Sequence, residues 1–352
     1  MTPENPKLGW LCSYTPEELI IAYGFTPVRI RGSDQKAPQE ASLLPPNLCP
    51  YVRSVLDQAL RGPVMELAGV SIVASCDAMR RLADIWRKAF PETPMLVIDV
   101  PRRTSARAHK YLLSQYETYC EWLEAISGRR AGESELREAI SLVNRKRKIL
   151  RSLAGERRKE PPAVSGSEFY NAVYEASRSP YHEFFEKYRS FDSGSLHYGP
   201  RLVITGSIIE STRIYDTIEA AGAHVVAEDT CTGLRSIEDD VEEGSAREPM
   251  ESIAWRYLRR PPCSRMSDIE ARSAYIRRLV SEYRAQGVVY HCLKFCDQYQ
   301  YDYPLLKNRL EADGIPVLRI ETDYQEGDSG QLSTRIEAFL ELLATGLQKT
   351  PQ

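Results

Sequence analysis

Cysteine is the residue type that most narrows the chemistry of this chain, which contains eight of them. They occur singly, and no two have the C-x-x-C spacing on which closed zinc sites usually draw. Even the two nearest, Cys292 and Cys296, are four residues apart. Thiolates scattered over distant loops suit an iron–sulfur cluster, which can gather its ligands from several elements. Zinc binding is the alternative, and a colourless protein after anaerobic purification would support it.

Composition sets the context in which these thiols act. A chain of 352 residues with 42% hydrophobic residues is long enough for two domains. The formal net charge of −3 gives no overall electrostatic case for nucleic-acid binding. No apolar run approaches the length of a membrane span, and the first residues lack the apolar core of a signal peptide. We therefore expect a soluble cytoplasmic protein, in which metal binding or catalysis is a better reading of eight cysteines than disulfides.

The elements that position the last two cysteines form one recognisable unit. Val288-Val289-Tyr290 is a short β-rich run, a helical pattern passes through Leu306 and Leu310, and a second β-rich run ends at Ile320. A strand, crossover helix and strand in this order predict a parallel sheet. Ligand sites of such sheets lie at the carboxyl ends of the strands, and we expect Cys292 and Cys296 just past the first strand.

The first hundred residues repeat this arrangement. A predicted strand ends at Cys12 and is followed by a helix with Thr15 as N-cap and Pro16 at its first position. Further predicted strands cover 28–30, 70–74 and 95–100. Cys49 and Cys76 precede predicted helices, whose amino termini stabilise thiolates by about 0.3–1 kcal/mol each.

The middle of the chain is different in character. Residues 104–195 are predicted to be long, charged helices that connect an N-terminal α/β domain, 1–103, to a C-terminal one, 196–352. The basic clusters at 145–148 and 157–159 are interpreted as solvated helix faces. Cys120 has helical spacing to Tyr116 and Leu123, so we expect a packed core thiol.

The C-terminal domain again places cysteines at element ends. A strand at 201–205, a helix through Ile214 and Ile218, and a strand from His224 lead to Cys231. A helix ends before Pro261-Pro262, immediately ahead of Cys263, and a final amphipathic helix covers 330–343. The predicted fold class is α/β, with two Rossmann-like parallel-sheet domains joined by a helical segment and a cluster in the cleft between them.

Several stretches resemble the 2-hydroxyacyl-CoA dehydratase and benzoyl-CoA reductase family. They are residues 12–20 (CSYTPEELI), 48–54 (LCPYVRS), 75–81 (SCDAMRR), 228–233 (EDTCTG), 294–297 (KFCD) and 320–324 (IETDY), together with 162–167 and 330–339. The similarity covers nearly the whole chain. Members of this family resemble electron-accepting components that are served by a separate ATP-hydrolysing activator carrying its own four-iron cluster.

The resemblance also implies a ligand set. Cys49, Cys76 and Cys296 match the three cysteines that hold one cubane (4Fe-4S) in dehydratase-like subunits. In the double-cubane branch, a second cubane is joined to the first through a bridging sulfide, giving an 8Fe-9S centre. The cysteines that look like this second set are Cys12, Cys231 and Cys263.

Other residues near the ligand positions could tune the cluster or move protons. Cys292 is a spare thiol that could replace one of the six. His291 and Lys294 are the candidates for proton supply, with Arg80 and Arg81 as further possibilities, and for each a surface or salt-bridged role is the competing interpretation.

Three functions follow from this resemblance. The first is an oxidoreductase: an ATP-dependent, low-potential reductase component that passes electrons to a small molecule at a double-cubane cluster. The second is a subunit of a 2-hydroxyacyl-CoA dehydratase, a lyase, or of a benzoyl-CoA-type reductase, with one four-iron cluster. The third is not an enzyme: an electron-storage or scaffold subunit, whose cluster would change redox state without turnover. The sequence has neither a Walker A loop nor a G-x-G-x-x-G motif, so ATP should act through the activator; family likeness implies a homodimer.

Overall fold

Two four-stranded parallel sheets form the framework of the computed structural model, which describes residues 5–33, 43–62, 66–190, 194–244, 247–324 and 329–347. The first sheet has the order β2-β1-β3-β4 and the second β6-β5-β7-β8. The strands are β1 (Lys7–Leu11), β2 (Thr26–Arg29), β3 (Leu67–Val73), β4 (Met95–Ile98), β5 (Arg201–Gly206), β6 (His224–Asp229), β7 (Gly287–Leu293) and β8 (Val317–Thr322). The predicted fold class, two Rossmann-like parallel-sheet domains, is confirmed.

Helices cover the sheets and account for their burial. They are α1 (Glu17–Ala22), α2 (Pro50–Leu60), α3 (Asp77–Ala89), α4 (Ala106–Ser127), α5 (Glu133–Glu156), α6 (Gly166–Ala176), α7 (Tyr181–Lys187), α8 (Arg213–Ala220), α9 (Leu234–Ile237), α10 (Pro249–Arg259), α11 (Ile269–Glu282), α12 (Asp297–Ala312) and α13 (Ser329–Leu347). Every residue of β5, β6 and β7 is buried, as expected for parallel strands enclosed by helices on both faces.

Local sequence explains where the long connecting helices begin and end. The Ser105 hydroxyl accepts a hydrogen bond from the Ala108 N–H and caps α4, and Gly128, with φ of 64°, ends it. Ser165 and Glu168 form a capping box at the start of α6. These helices confirm the predicted helical segment; the domain boundaries drawn around it stay a prediction.

One helix of the C-terminal half packs against the N-terminal half. The core around Leu8, Tyr116 and Leu123 includes Tyr257 and Leu258 of α10. Within the described residues, no helix has the length and apolar character needed to cross a membrane. The return of α10 brings the loop that carries Cys263 next to the first sheet.

Two local predictions, the start of α1 and the end of β7, are wrong by small shifts with physical reasons. Helix α1 begins at Glu17 and Pro16 is its cap, because the Thr15 hydroxyl donates to the carbonyl of Leu11 and does not cap the helix. Strand β7 continues to Leu293, so Cys292 is a fully buried strand residue and does not lie past the strand end.

The two basic clusters are not simply solvated helix faces. Lys146 and Arg147 are buried on α5, where they pair with Glu17 at 2.6 Å and Glu18 at 2.6 Å. Arg157 is fully buried against Glu228. The interpretation fails because the compensating carboxylates come from α1 and β6, far away in sequence.

Candidate functional site

Six cysteines line a single cavity of about 110 Å³ between the carboxyl ends of the two sheets. They are Cys12, Cys49, Cys76, Cys231, Cys263 and Cys296. A single water molecule needs roughly 10–15 Å³ on the same measure. The cavity therefore has room for a polyatomic group, and its wall contains the six thiols expected from the sequence.

Three of these thiols are helix N-caps, and we call Cys49, Cys76 and Cys296 the helix trio. They precede α2, α3 and α12, which are 11, 13 and 16 residues long. The amino end of each helix carries partial positive charge from its free N–H groups. Two of the helices belong to the first sheet and one to the second, so the trio joins both halves.

Mutual contact within the helix trio separates the pKa values of its thiols. Cys49 donates a hydrogen bond to Cys296, and this bond and burial raise the pKa of Cys49 well above its usual value. The same bond lowers the pKa of Cys296 to about 7, although burial opposes it. Burial raises the pKa of Cys76 to about 11, although a hydrogen bond from the Met79 N–H acts to lower it. Cys296 is thus the thiol of this trio that is most easily ionised.

The other three thiols are surrounded by guanidinium groups, and we call Cys12, Cys231 and Cys263 the arginine trio. Cys12 follows β1 in a left-handed conformation with φ of 76°. Burial, followed by the charges of Cys231 and Cys263, raises the pKa of Cys12. Burial also acts to raise the pKa of Cys231, but Arg235 and other arginines outweigh it and lower that pKa. Cys12, Cys231 and Cys263 are therefore close enough for the charge of one to affect the ionisation of another.

Three buried arginines around the cavity form no ion pair with a carboxylate among the described residues. They are Arg29, Arg260 and Arg265. Arg29 donates to the Cys231 carbonyl at 2.8 Å, while its Nε and Nη2 are buried without a hydrogen-bond partner. Buried cations without counter-charges are costly, so these groups indicate that negative charge belongs in the cavity.

The same arginines hold the cysteine loops together. Arg260 donates to the hydroxyl of Ser13 at 2.7 Å and to the Ser13 carbonyl, which fixes the loop after Cys12 to the end of α10. Arg265 donates to the carbonyls of Ser75, Pro101 and Val100, which fixes the Cys263 loop to the first sheet. Loops from distant parts of the chain are therefore tied at the cavity by hydrogen bonds.

Two buried arginines and one aspartate lie next to Cys231 and set the charge around its sulfur. Arg235 donates to Asp229 at 3.0 Å, to the Tyr299 hydroxyl at 2.9 Å and to the Cys231 sulfur at 3.5 Å. Arg272 faces the same carboxylate at 3.0 Å. Because Asp229 is shared between two guanidiniums, some positive charge is left to face the sulfur.

The residues fit an iron–sulfur group better than a single ion. Among the described residues, no three His, Cys, Asp or Glu side chains are close enough together to hold one metal ion. The six thiols instead surround a space of about 110 Å³. Sulfur-only donors suit iron–sulfur clusters, and thiolates with sulfide bring the negative charge that Arg29, Arg260 and Arg265 require. Each trio offers three sulfurs, the number that the resemblance assigns to one cubane.

The remaining sequence candidates are outside the cavity wall as the structure describes it. His291 is buried in β7, where Nε2 contacts the Thr322 hydroxyl at 2.9 Å, and burial lowers its pKa to about 4. Lys294 pairs with Asp323 at 2.8 Å. Proton supply by His291 or Lys294 stays a prediction.

The other two cysteines and the two α3 arginines are also away from the cavity. Cys292 and Cys120 are buried core thiols, as predicted for Cys120, and burial raises the pKa of Cys292 to about 12. Arg80 and Arg81 are exposed on α3. The arginines that do face the thiols have no local signal in the sequence, because their partners are distant loops.

Fold and site together define an α/β protein whose two sheets share a thiol-lined cavity. The chain belongs to the family described as "2-hydroxyglutaryl-CoA dehydratase, D-component", whose model matches residues 12–343. The predicted family resemblance is confirmed.

Three relatives illustrate the range of this family. The chain is 29% identical to the (R)-phenyllactyl-CoA dehydratase beta subunit of Clostridium sporogenes, over 96% of this chain and 91% of the relative. It is 24% identical to one of the subunits of benzoyl-CoA reductase from Thauera aromatica, over 94% of this chain and 88% of the relative. It also matches the (R)-phenyllactyl-CoA dehydratase alpha subunit of Clostridium sporogenes, 24% identical over 47% of this chain and 46% of the relative. The relatives are named as subunits of a dehydratase and of a reductase. The comparisons therefore identify the family of this chain but do not assign it one activity.

Proposed function

We propose that this chain is an iron–sulfur enzyme component that receives low-potential electrons from an ATP-hydrolysing activator and reduces a small molecule at a double-cubane cluster. One observation carries the proposal: six thiols in two groups of three line one cavity. The helix trio would hold one cubane and the arginine trio the other. Family membership supports the choice of iron and sulfide as the group that the thiols hold.

The group would supply low-potential electron transfer when bound, and the surrounding residues set the conditions for it. Helix amino termini face the helix trio, and guanidiniums face the arginine trio. Cys49 and Cys263 are only 7% and 8% exposed, and the other four cysteines of the cavity are partly buried. Positive charge that the protein holds in place beside these sulfurs stabilises thiolates without the reorganisation that water would need.

The alternative is a subunit of a 2-hydroxyacyl-CoA dehydratase or benzoyl-CoA-type reductase with a single four-iron cluster. The names of the relatives favour it, since they include dehydratase subunits and a reductase subunit. In this case the helix trio would hold the cluster, and the thiols of the arginine trio would bind no iron. Iron content separates the two functions, with about eight irons per chain expected for the first and about four for the second.

Two protein partners are part of the proposal. The first is the activator, which we place here because of the family resemblance and because the sequence has no Walker A loop of its own. The second is another subunit: a relative named as an alpha subunit matches about half of this chain, so subunits of this family resemble one another. From the family resemblance we propose a homodimer, in the cytoplasm, with no nucleic-acid or membrane partner.

The decisive experiment measures iron and sulfide in anaerobically purified protein and its cysteine variants. Wild type should contain about eight irons, and Cys231→Ser should keep about half of them, because only the arginine trio is broken. Cys49→Ser should likewise lose about half. Cys292→Ser is the matched control, a buried cysteine outside the cavity wall, and should keep all of the iron.

Three outcomes would contradict the proposal. About four irons in wild type, unaffected by Cys231→Ser, would support the single-cluster alternative. Zinc without iron, in a colourless protein, would remove the redox function altogether. A loaded cluster that is reduced by activator and ATP but turns over no substrate would support the electron-storage function.

A further inference from the structure

Tyr299 has contacts with both thiol trios. It is the third residue of α12 and follows Cys296 by about one helical turn. Its N–H donates to the Cys296 carbonyl at 3.1 Å and, together with the bond from Cys49, lowers the pKa of the Cys296 thiol. Its side chain extends to the arginine trio, where the Tyr299 hydroxyl and the Cys231 sulfur accept from the same nitrogen of Arg235, at 2.9 Å and 3.5 Å. Tyr299 therefore connects the two groups of thiols.

The hydroxyl of Tyr299 has a hydrogen that none of the described residues accepts. Its oxygen accepts from Arg235, and it donates no hydrogen bond within the described part of the chain. The side chain lines the thiol cavity and is 8% exposed. Burial raises the pKa of Tyr299 well above its usual value, and Cys231 and Cys263 act in the same direction. The hydroxyl keeps its hydrogen, and a buried O–H without an acceptor is unfavourable.

Neighbouring side chains hold the Tyr299 ring in place. The guanidinium of Arg272 lies 5.3 Å from the ring centre, and the Tyr290 ring lies 6.3 Å away at an angle of 65°. Arg235, which donates to the hydroxyl oxygen, is fully buried and pairs with Asp229 at 3.0 Å. Because a guanidinium has no acceptor, the hydroxyl hydrogen is directed away from Arg235. The donor is therefore oriented before any group enters the cavity.

We propose that the Tyr299 hydroxyl donates a hydrogen bond to a sulfur of the cubane held by the arginine trio and so raises the reduction potential of that cubane. This inference rests on the proposed function, in which the arginine trio holds a cubane. Reduction adds one electron, which the activator loses, and no proton moves. A donor to sulfur stabilises the more negative, reduced form more than the oxidised form.

The test measures the reduction potential of anaerobically purified holoprotein by mediated titration with dithionite. Tyr299→Phe keeps the ring and removes the hydroxyl. It should shift the equilibrium of one-electron reduction about tenfold towards the oxidised form, which places the potential about 59 mV lower. Tyr301→Phe is the matched control, because it makes the same change on the same helix at a residue that is 79% exposed. Its potential should equal that of wild type.

A second variant separates hydrogen-bond donation to the cubane from the positioning of Arg235. Placing 3-fluorotyrosine at position 299 keeps both the ring and the hydroxyl. Fluorine withdraws electron density, so the hydroxyl becomes a stronger donor and a weaker acceptor. Donation to the cubane should therefore raise the potential, opposite in sign to Tyr299→Phe. If the hydroxyl only accepted from Arg235, both changes would shift the potential in the same direction. The fluorinated variant also tests the inference if Tyr299→Phe loses its cluster.

Iron content, measured in the same samples, separates the possible failures. With about eight irons per chain in wild type and variants, an unchanged potential in Tyr299→Phe would overturn the inference and leave the proposed function standing. An equal shift in Tyr301→Phe, or shifts of the same sign in Tyr299→Phe and the fluorinated variant, would do the same. About four irons in wild type, all kept in Cys231→Ser, would refute the double-cubane function and remove the acceptor that the inference requires.

Discussion

The buried histidine of β7 gives a pH dependence that can be worked out from the structure. His291 is 1% exposed, and burial lowers its pKa from 6.5 to about 4. Its Nδ1 lies 3.5 Å from the Ser207 carbonyl and its Nε2 lies 2.9 Å from the Thr322 hydroxyl. A neutral ring, with one donor and one acceptor, satisfies both contacts, so the folded protein favours the uncharged form.

The sign of the effect follows from linkage. The pKa of His291 is lower in the folded state, so its contribution to stability is complete above about pH 6.5 and is lost as the pH falls towards 4. Between pH 7.5 and 5.5 the unfolded chain gains nearly one proton that the folded chain does not. One pKa unit corresponds to about 1.4 kcal/mol, so the free energy of unfolding should fall by about 1.3 kcal/mol from this group.

The assay compares wild type with His291→Gln by urea unfolding at both pH values, under anaerobic conditions. The variant should be less stable at pH 7.5, and the difference from wild type should shrink by about 1.3 kcal/mol at pH 5.5. An unchanged difference would show that the ring titrates with the same pKa in the folded and unfolded protein and would refute this reasoning. Loss of turnover at unchanged stability would instead support proton supply by His291.

Two further predictions concern packing. Glu18→Gln removes a fully buried carboxylate that faces the guanidinium of Arg147 at 2.6 Å, and this should lower the free energy of unfolding by about 3–5 kcal/mol. Because the entropy of unfolding for this length is about 0.7 kcal/mol/K, Tm should fall by about 4–7 °C. Glu133→Gln, in an exposed pair, should change Tm by about 1 °C or less, and equal shifts would contradict the argument. Gly206→Ala should prevent accumulation of soluble protein, because the new Cβ would lie 1.8 Å from the His291 carbonyl oxygen at a φ of 130°. Gly155→Ala, with open space around it, should express normally, and soluble Gly206→Ala of wild-type Tm would refute the clash.

The sheets were predictable because their strands are short, apolar and bounded by turn residues. Runs such as Val288-Val289-Tyr290 predict strands from composition alone, and the cysteines after them mark the strand ends. The predicted end of β7 was too early because His291 and Cys292 interrupt the apolar pattern, although the buried interior accepts both. Local pattern thus locates an element better than it locates its last residue.

The charged parts of the site could not be predicted in the same way. Arg29 ends an ordinary edge strand, and Arg260 and Arg265 are in a loop, where arginine is common. Their importance lies in what they face, which depends on loops some 200 residues away, as with the contact from Arg29 to the Cys231 carbonyl. No window of sequence contains that information.

Each trio of thiols draws on both sheets: Cys49 and Cys76 from the first with Cys296 from the second, and Cys12 from the first with Cys231 and Cys263 from the second half. Any inorganic group bound by either trio would act as a cross-link between the two halves of the molecule. Releasing that group would remove this tie and leave the halves held by the packing of α10 and by hydrogen bonds between their loops. Oxygen damage to the centre should accordingly register as increased protease sensitivity of the loops that carry the cysteines, and repair would require these loops to close again around new iron and sulfide.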